Sequence, residues 1–156
     1  MNISYTCDAD SIRPFPADSV QTLDAERQIE LFCAFFGVDM PAEDRAEFID
    51  ASKSGRMEEY GILESGRLVA RANIWNFSNG TCEIGAVRVL PEFRGRGFGK
   101  QLVSYCAQLL LARGIAPVCI TTADDRAMRG VLNRSASTKA RECPMIIRPG
   151  GLPCVV

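Results

Sequence analysis

The spacing of apolar residues predicts two helices in the first third of the chain. From Asp24 onward, apolar residues recur at steps of three and four, at Ile29, Phe32, Cys33 and Phe36. This period places them on one face of a helix, and Gly37 is a typical helix terminator. A thinner helical pattern, PAEDRAEFIDA, begins at Pro41, a residue favourable in a first helical turn. Before Asp24 the pattern is weaker: ISYTC is compatible with a strand, and DSIRPFPADS is a loop with two prolines.

From Glu59 the period of the pattern changes to two, which is typical of β-strands. The stretches YGILES, RLVARANIWNF and TCEIGAVRVL all alternate in this way. Gly66 separates the first two stretches. Asn79-Gly80, a dipeptide typical of tight hairpin turns, separates the last two. The sequence therefore predicts three successive antiparallel strands in the middle of the chain.

Beyond residue 97 a helical period returns, and shorter elements follow it. One face of the predicted helix carries Phe98, Leu102, Tyr105, Cys106, Leu109 and Leu110. Gly114 lies where a C-cap is expected. IAPVCITT is then predicted as a short buried strand, Asp124 or Asp125 as the cap of another helix, and CPMIIR as a last strand. This order of elements predicts an α+β fold, a sheet with helices packed on its faces.

Length and charge narrow the class of protein. The chain has 156 residues, 47% of them apolar, which suits one core and predicts a single domain over residues 1–156. Its 18 Lys and Arg against 19 Asp and Glu leave a net charge of -1, which favours neither nucleic acid nor an anionic membrane surface. The longest apolar run, LFCAFFGV, is shorter than the roughly 20 residues that span a bilayer. We therefore expect a soluble, cytoplasmic protein.

The cysteine and histidine content limits the available chemistry. Seven cysteines are scattered along the chain without a CxxC motif or a metal-ligand pair, so we expect reduced thiols and no metal site. Histidine is absent, which excludes Ser-His and Cys-His nucleophilic catalysis and imidazole bases. Any proton transfer must use carboxylates, Tyr, Cys, Lys or water.

The stretch RGRGFGKQL, directly before the long helix, is the strongest candidate for a binding site. It interleaves glycines and cations in the order Arg94, Gly95, Arg96, Gly97, Phe98, Gly99 and Lys100. The amides of the first helical turn lack intrahelical acceptors, and glycines let a backbone wrap closely around a phosphate. The alternative is a tight strand-to-helix turn with solvated cations.

Two nucleotide-binding motifs do not match this loop. A Walker A loop needs a glycine at position 94 and Ser or Thr at position 101, where the chain has Arg94 and Gln101. A dinucleotide fingerprint needs a glycine at position 100 or 102 and a parallel βαβ unit. The chain has Lys100 and Leu102 there, after a strand that ends a meander.

Arg94, Gly97 and Gly99 do match the pattern Q/R-x-x-G-x-G/A. In this the loop resembles the pyrophosphate loop of the GCN5-related N-acetyltransferase (GNAT) superfamily. The resemblance extends from about Tyr60 to about Ile147. It implies a mixed, mainly antiparallel central sheet of about six or seven strands with helices on both faces. It also implies acetyl-CoA as co-substrate, no metal, and transfer of an acetyl group to a primary amine.

The resemblance also implies which residues bind acetyl-CoA. In that superfamily two neighbouring strands splay apart, and the strand before the loop binds the pantetheine arm through its backbone. The implied contacts are the strand residues Val87, Arg88 and Val89 and the loop residues Arg94, Gly95, Arg96, Gly97, Phe98, Gly99 and Lys100. Asp124 or Asp125, at the position of a family asparagine, completes the set. A strand N–H near Val87 is the natural donor to the oxyanion of the tetrahedral intermediate.

Glu83 is the candidate general base. It lies eleven residues before Arg94, which matches the spacing of the base in the histone-acetylating members of the superfamily. A base is useful because deprotonating an amine of pKa about 10.4 at pH 7 costs about 4.6 kcal/mol. Strand alternation predicts that Glu83 shares a face with Gly85, Val87 and Val89, an apolar setting that would raise its pKa. A solvated strand glutamate, or one that relays a proton through water, is the alternative.

The chain departs from the family at the general acid. Members often carry a Tyr seven residues after the asparagine, and here Val131 takes that place. We expect Tyr105 to face the core and Cys119 to be a small buried residue, so neither replaces the missing acid. The Gly-Phe that usually follows this helix is replaced by Ala136-Ser137.

Other functions and partners stay open at this stage. The chain is alternatively an acyl-CoA-binding module that has lost catalysis, or a phosphate-loop nucleotide binder. The acceptor is open among small amines, amino acids, antibiotics and protein lysines or N-termini. Assembly into a homodimer is also left open, whereas no nucleic acid or membrane partner is expected.

Overall fold

The computed structural model describes residues 2–6, 15–122, 124–135 and 141–143, which form one mixed sheet and its helices. In chain order the elements are β1 (Asn2–Thr6), β2 (Val20–Leu23), α1 (Ile29–Phe36), α2 (Ala42–Lys53), β3 (Met57–Glu64), β4 (Arg67–Ser78), β5 (Thr81–Val89), a 3-10 helix (Pro91–Phe93), α3 (Phe98–Ala112), β6 (Ala116–Thr122), α4 (Arg126–Ser135) and β7 (Arg141–Cys143). The seven strands lie in the order β2-β3-β4-β5-β6-β1-β7. β5 and β6 run parallel, and the other pairs described are antiparallel. The predicted α+β fold with a mixed, mainly antiparallel sheet is confirmed.

Two tight turns join the strands of the central meander. Ser65 and Gly66 link β3 to β4, with φ angles of 49° and 78°. Asn79 and Gly80 link β4 to β5, with φ angles of 49° and 76°. Two consecutive residues with positive φ are characteristic of the type I′ turn, whose twist matches that of the flanking strands. The hairpin predicted from Asn79-Gly80 is therefore confirmed.

Helices cover both faces of the sheet, because alternate residues of β4 point to opposite sides. On one face, Ala70, Ala72 and Ile74 pack in a core cluster with the apolar side of α3. On the other face, the Arg71 guanidinium lies over aromatic rings of α1. A second cluster on this face consists of Leu23, Ala25, Phe32, Phe35, Phe48, Leu68 and Leu90. Burying a large apolar side chain contributes roughly 1.5–3 kcal/mol, so both clusters stabilise the sheet.

The helix termini follow the signals in the sequence. α1 ends at Gly37, which has a φ of 70° and whose N–H donates to the Cys33 carbonyl. Pro41 caps α2, one residue before the helix begins. Of the two predicted caps of α4, Asp125 performs the role: its Oδ1 accepts the Met128 N–H at 2.8 Å. In the described part of the chain, no helix is both long enough and apolar enough to cross a membrane.

The strands near the two termini differ most from expectation. β2 was not predicted, because four residues with buried ends and an exposed middle show no alternation. β1 was predicted only as a candidate strand, and it pairs with both β6 and β7. β6 is buried on one side only, and Ile120 is 44% exposed. The last strand was expected from Cys143 to Arg148; β7 ends at Cys143, and residues 144–156 lie outside the described residues, as do Ala136 and Ser137.

Candidate active site

A β-bulge in β5 lies at the centre of the candidate site. Asn73 of β4 is opposite Gly85, whereas Arg71 is opposite Arg88, so two steps along β4 correspond to three along β5. The extra residue is accommodated at Ala86, which has a φ of 49°. A bulge bends its strand and restarts the alternation of side chains. The alternation of side chains between the two faces of the sheet therefore shifts by one residue at Ala86, and Gly85 and Val87 lie on opposite faces.

This bulge shows that one prediction about Glu83 is wrong. Glu83 and Gly85 share a face, as expected, but Val87 and Val89 lie on the opposite face. A Cβ added to Gly99 of α3 would lie 3.9 Å from Val89 Cγ2 and 4.0 Å from Val87 Cγ1, so both valines face α3. A Cβ added to Gly85 would instead meet Trp75 and Asn73, on the face away from α3. The prediction was wrong because it assumed strict alternation along β5, which an inserted residue interrupts.

β5 and β6 separate beyond their first three pairs. Their parallel register runs from Thr81 opposite Ala116 to Glu83 opposite Val118. β5 nevertheless continues to Val89, and β6 continues to Thr122. The second half of β5 therefore has one backbone edge that β6 does not pair with, and a cleft opens between the two strands. Val87, Arg88 and Val89 lie on this edge, where the sequence predicted a backbone-binding segment.

The glycine-rich loop leads from this cleft into the N-terminus of α3. Gly95 and Gly97 have φ angles of 81° and 84°, which an L-residue rarely adopts. Gly97 is the N-cap of α3, and no side chain caps the helix. The first amides of the helix therefore point out of it without intrahelical acceptors, together with the positive end of the helix dipole. This arrangement suits an anion.

Gly99 lies inside α3, close to α4 and β5. An added Cβ would lie 3.4 Å from Val131 Cγ2 on α4, which is an ordinary van der Waals contact, so an alanine would fit here. Val131, which replaces the family tyrosine, thus packs beside the start of α3, and Asp124 and Asp125 lie just before α4.

The three cations of the loop make different contacts. Arg94 Nε donates to the Val89 carbonyl at 3.2 Å, which ties the loop to the end of β5. Arg96 donates through both terminal nitrogens to the Glu64 carboxylate and stacks on Phe98, 4.7 Å from the ring centroid. Lys100 Nζ lies 5.5 Å from the Phe15 ring centroid. Arg96 is therefore engaged with a carboxylate, whereas it was predicted to supply positive charge for a phosphate.

The face of the sheet away from α3 carries a grid of polar residues, which includes the predicted Glu83 and Arg88 and also Glu59, Arg71 and Asn73, which sequence reasoning missed. Three rows run across β3, β4 and β5, namely Met57-Trp75-Glu83, Glu59-Asn73-Gly85 and Gly61-Arg71-Arg88. α1 covers the last row, with Arg71 5.1 Å from the Phe36 ring centroid and Arg88 5.6 Å from that of Phe35. The signal for Arg71 and Asn73 was present in ARANI, where polar residues alternate with small apolar ones in a strand.

A buried ion pair anchors this grid. Arg71 Nη2 and Nε donate to the two oxygens of Glu59 at 2.6 and 3.1 Å. Both side chains are almost fully buried. Burial raises the pKa of Glu59, and the Arg71 charge and hydrogen bonds oppose that rise.

The remaining candidates are settled by packing. Tyr105 packs against the core, as expected, with its ring centroid 5.5 Å from that of Tyr60. Cys119 is a buried residue on β6, as expected. Among the described residues no group of three or more Cys, Asp or Glu side chains forms a metal site.

Comparison with known proteins identifies the family. The model of the acetyltransferase (GNAT) family matches residues 25–135. No curated protein sequence matches the chain. Among solved structures, a putative GNAT acetyltransferase from Novosphingobium aromaticivorans is similar with a TM-score of 0.65 at 20% identity, covering 85% of this chain and 56% of that one. A GNAT acetyltransferase from Colwellia psychrerythraea gives a TM-score of 0.71 at 16% identity, covering 86% and 51%. The chain thus spans about half the length of these two proteins.

A third structure contains a ligand. AAC(6')-Iy, in complex with the bisubstrate analogue CoA-S-monomethyl-acetylneamine, gives a TM-score of 0.65 at 14% identity and covers 83% of this chain and 96% of that one. At such identities the structures establish a shared fold. The family match carries the assignment, because it covers more than half of the sequence. The chain therefore belongs to the GNAT acetyltransferase family.

Proposed function

We propose that the protein transfers an acetyl group from acetyl-CoA directly to a primary amine. The observation that carries this proposal is the cleft between β5 and β6, which leads to the uncapped N-terminus of α3. An extended thioester arm fits an unpaired strand edge, and a diphosphate fits a helix N-terminus opened by Gly97. The analogue bound by AAC(6')-Iy, which joins CoA to an acetylated amine, supports the same pair of substrates.

In this proposal the backbone binds most of the acetyl-CoA. Val87, Arg88 and Val89 form the strand segment along which the pantetheine arm lies, and the Val89 carbonyl also accepts a hydrogen bond from Arg94 Nε. Gly95 to Lys100 surround the diphosphate, and Arg94 and Lys100 add positive charge. Asp124 and Asp125, just before α4, complete the proposed set of contacts. Arg96 donates to the Glu64 carboxylate in the free protein. It adds positive charge for the diphosphate only when it releases or shares this carboxylate.

The chemistry proposed for Glu83 is that of a general base. The C–N bond forms as the C–S bond of the thioester breaks. The arriving ammonium first gives one proton to Glu83, directly or through water, and the resulting amine attacks the thioester. The nitrogen loses its second proton to solvent as the amide forms, and the departing CoA thiolate takes one proton from solvent because Val131 offers none. An amide near Val87, exposed by the bulge, stabilises the oxyanion. Glu83 is half-buried and lies opposite Trp75.

The first test is thiol release from acetyl-CoA in the presence of mixed primary amines. Release that depends on the amines supports acetyl transfer, and its absence contradicts it. Ligand-dependent thermal stabilisation tests the cofactor separately, since a ligand of the folded state raises the melting temperature. CoA should raise it and ATP should not. Stabilisation by ATP alone would favour a nucleotide-binding function.

The Glu83→Gln variant tests the base. We expect turnover at neutral pH to fall about 100-fold, with a smaller loss at high pH, where more of the amine is already deprotonated. Glu47→Gln, a matched change at an exposed position on α2, should leave the pH profile unchanged. If Glu83→Gln lowers the rate equally at every pH, or not at all, Glu83 is not the base.

Val131 supports a second candidate, an acyl-CoA-binding module without catalysis. A hydrocarbon occupies the position from which many relatives donate a proton, and it packs beside Gly99. Thermal stabilisation by CoA together with no thiol release for any amine would favour this function.

A further inference from the structure

Asn73 lies at the centre of the polar grid with part of its hydrogen-bonding capacity unused. It is on β4, between Glu59 of β3 and Gly85 of β5, and only 8% of it is exposed. Its Oδ1 atom is buried, and no described residue donates a hydrogen bond to it. Buried polar atoms in folded proteins are nearly always paired, so an orphaned amide oxygen indicates that a ligand supplies the donor.

The neighbours of Asn73 fix the orientation of its amide. Nδ2 lies 3.3 Å from Met57 Sδ and hydrogen-bonds the Glu59 carboxylate. A thioether and a carboxylate only accept hydrogen bonds, so the NH₂ group must face them. Oδ1 consequently faces the other way, toward Gly85.

Because Gly85 has no side chain, the edge of the Trp75 indole lies directly over the strand at this point. A Cβ added there would lie 3.0 Å from Asn73 Oδ1 and 2.7 Å from Trp75 Nε1. Asn73 Oδ1 and the edge of the Trp75 indole therefore both lie close to the position that a side chain at residue 85 would occupy. Ala86, where the bulge begins, follows immediately. Glu83 lies two residues before Gly85 on the same face, opposite Trp75.

We propose that Asn73 Oδ1 accepts an N–H of the acceptor's amino group, in a subsite formed by Asn73, Trp75 and Gly85 that selects primary amines. This inference rests on the proposed function and names the residue that holds the second substrate. A primary amine has one N–H for Asn73 and a second for Glu83, while its lone pair faces the thioester. Trp75 is 39% exposed, and its ring offers a cation–π surface to an arriving ammonium. Because the indole edge covers Gly85, the amine displaces it on entry.

The single tryptophan of the chain makes this subsite directly observable. The probe is n-butylamine, titrated at neutral pH into the protein saturated with CoA while Trp75 emission is recorded. We expect a saturable change in emission. N-methylbutylamine should bind more weakly and N,N-dimethylbutylamine about tenfold more weakly or worse, because each methyl group removes an N–H donor.

Two variants test the residues themselves. Asn73→Leu has a similar shape without an acceptor, and it should weaken n-butylamine binding about tenfold or more and remove the preference for the primary amine. Gly85→Ala would place a methyl group 2.7 Å from Trp75 Nε1 and 3.0 Å from Asn73 Oδ1, so it should displace the indole, block the approach of the amine to Oδ1 and abolish the emission change. Met57→Leu removes a partner of Nδ2 but leaves Oδ1 in place, so amine binding should stay within about twofold.

The outcomes separate this inference from the proposed function. Thermal stabilisation by CoA should be equal in wild type, Asn73→Leu and Gly85→Ala, which also shows that the variants fold. If CoA stabilises the protein but n-butylamine leaves emission unchanged, or binds Asn73→Leu as tightly as wild type, the subsite is wrong and CoA binding stands. If CoA gives no stabilisation while the amine series behaves as expected, the acetyl donor is wrong and the amine site stands.

Discussion

Two glycines at the ends of α3 have the same backbone conformation but lie in different surroundings. Gly97 caps the N-terminus with a φ of 84°, and Gly114 follows the C-terminus with a φ of 72°. A Cβ at either position would meet nothing within 4 Å. Steric crowding in the free protein therefore requires neither glycine, and only the positive φ does. Gly97 differs in facing the region where we propose that the diphosphate binds.

This pair gives a matched test of the loop. Gly97→Val and Gly114→Val should each destabilise the fold by about 1–2 kcal/mol, because a β-branched residue is strained at positive φ. Only Gly97→Val should weaken CoA binding, by about tenfold or more, since its side chain would enter the anion site. Isothermal titration with CoA measures the difference. Equal CoA affinity in the two variants would remove Gly97 from the binding site.

At the residue scale, the sequence predicted the features that depend only on residues adjacent in the chain. The glycines of the loop, the Asp125 cap and the Asn79-Gly80 turn are specified by neighbouring residues, and all three were predicted. The role of Asn73 was not predicted, because it depends on Glu59 and Gly85 in two other strands. Arg71 and Glu59 likewise pair across twelve residues of chain. Long-range register decides these contacts, and a local pattern does not contain it.

At the scale of elements, the pairing of β3 with β4 contains an ion pair where a sheet normally has apolar side chains. Arg71 and Glu59 are 6% and 1% exposed. Two charges removed from water stabilise a fold only while both are present, because either one alone is left without compensation. The pair also holds Asn73 in place, since Glu59 accepts from its amide.

Arg71→Met should therefore destabilise the protein by about 3–5 kcal/mol, measured by urea unfolding at pH 8. Without Arg71, nothing comparable opposes the rise that burial causes in the pKa of Glu59. The folded state would then bind a proton that the unfolded state lacks, so the loss should be smaller at pH 5 than at pH 8. The double variant Glu59→Gln with Arg71→Met should recover most of the lost stability. A loss below about 1 kcal/mol in the single variant would show that the pair matters little.

The bulge in β5 is the element that alternation could not predict. Up to Gly85 the two-residue period places each side chain correctly, and beyond Ala86 it places them on the wrong face. Nothing in GAVRV marks the inserted residue, because alanine has no special preference for a positive φ. The partner strand decides where the extra residue lies. The same bulge gives the site two sides, since it turns Val87 toward α3 and leaves Gly85 facing the polar grid.

At the scale of the whole molecule, the two faces of β5 separate the binding regions of the two proposed substrates. The cleft, the loop and α3 form the side that suits acetyl-CoA, and the polar grid beside α1 forms the side that suits an amine. β5 contributes to both, with Glu83 and Gly85 on one face and Val87 and Val89 on the other. The reaction that we propose would take place at the bulge, where the two sides meet. An apolar core on each face of the sheet supports this strand.

The core beneath this strand contains titratable groups that should make the fold sensitive to alkali. Burial raises the pKa of Cys82 from 9.0 to about 11, and its thiol donates to the Trp75 carbonyl at 3.0 Å. Burial also raises the pKa values of Cys106 and Tyr60. The folded state keeps these protons at a pH where the unfolded state has lost them. For Cys82, the contribution to stability is therefore complete below about pH 9 and is lost as the pH rises toward 11.

We expect the free energy of unfolding to fall from pH 9 to pH 11, by up to about 1.4 kcal/mol per pH unit for each such group. Cys82→Ser keeps a donor for the Trp75 carbonyl but does not titrate in this range. Its stability should therefore decrease less steeply between pH 9 and 11, while both proteins show equal slopes from pH 7 to 8.5. Urea unfolding at half-unit steps of pH measures both slopes. Parallel curves over the whole range would mean that Cys82 does not hold its proton more tightly in the folded protein.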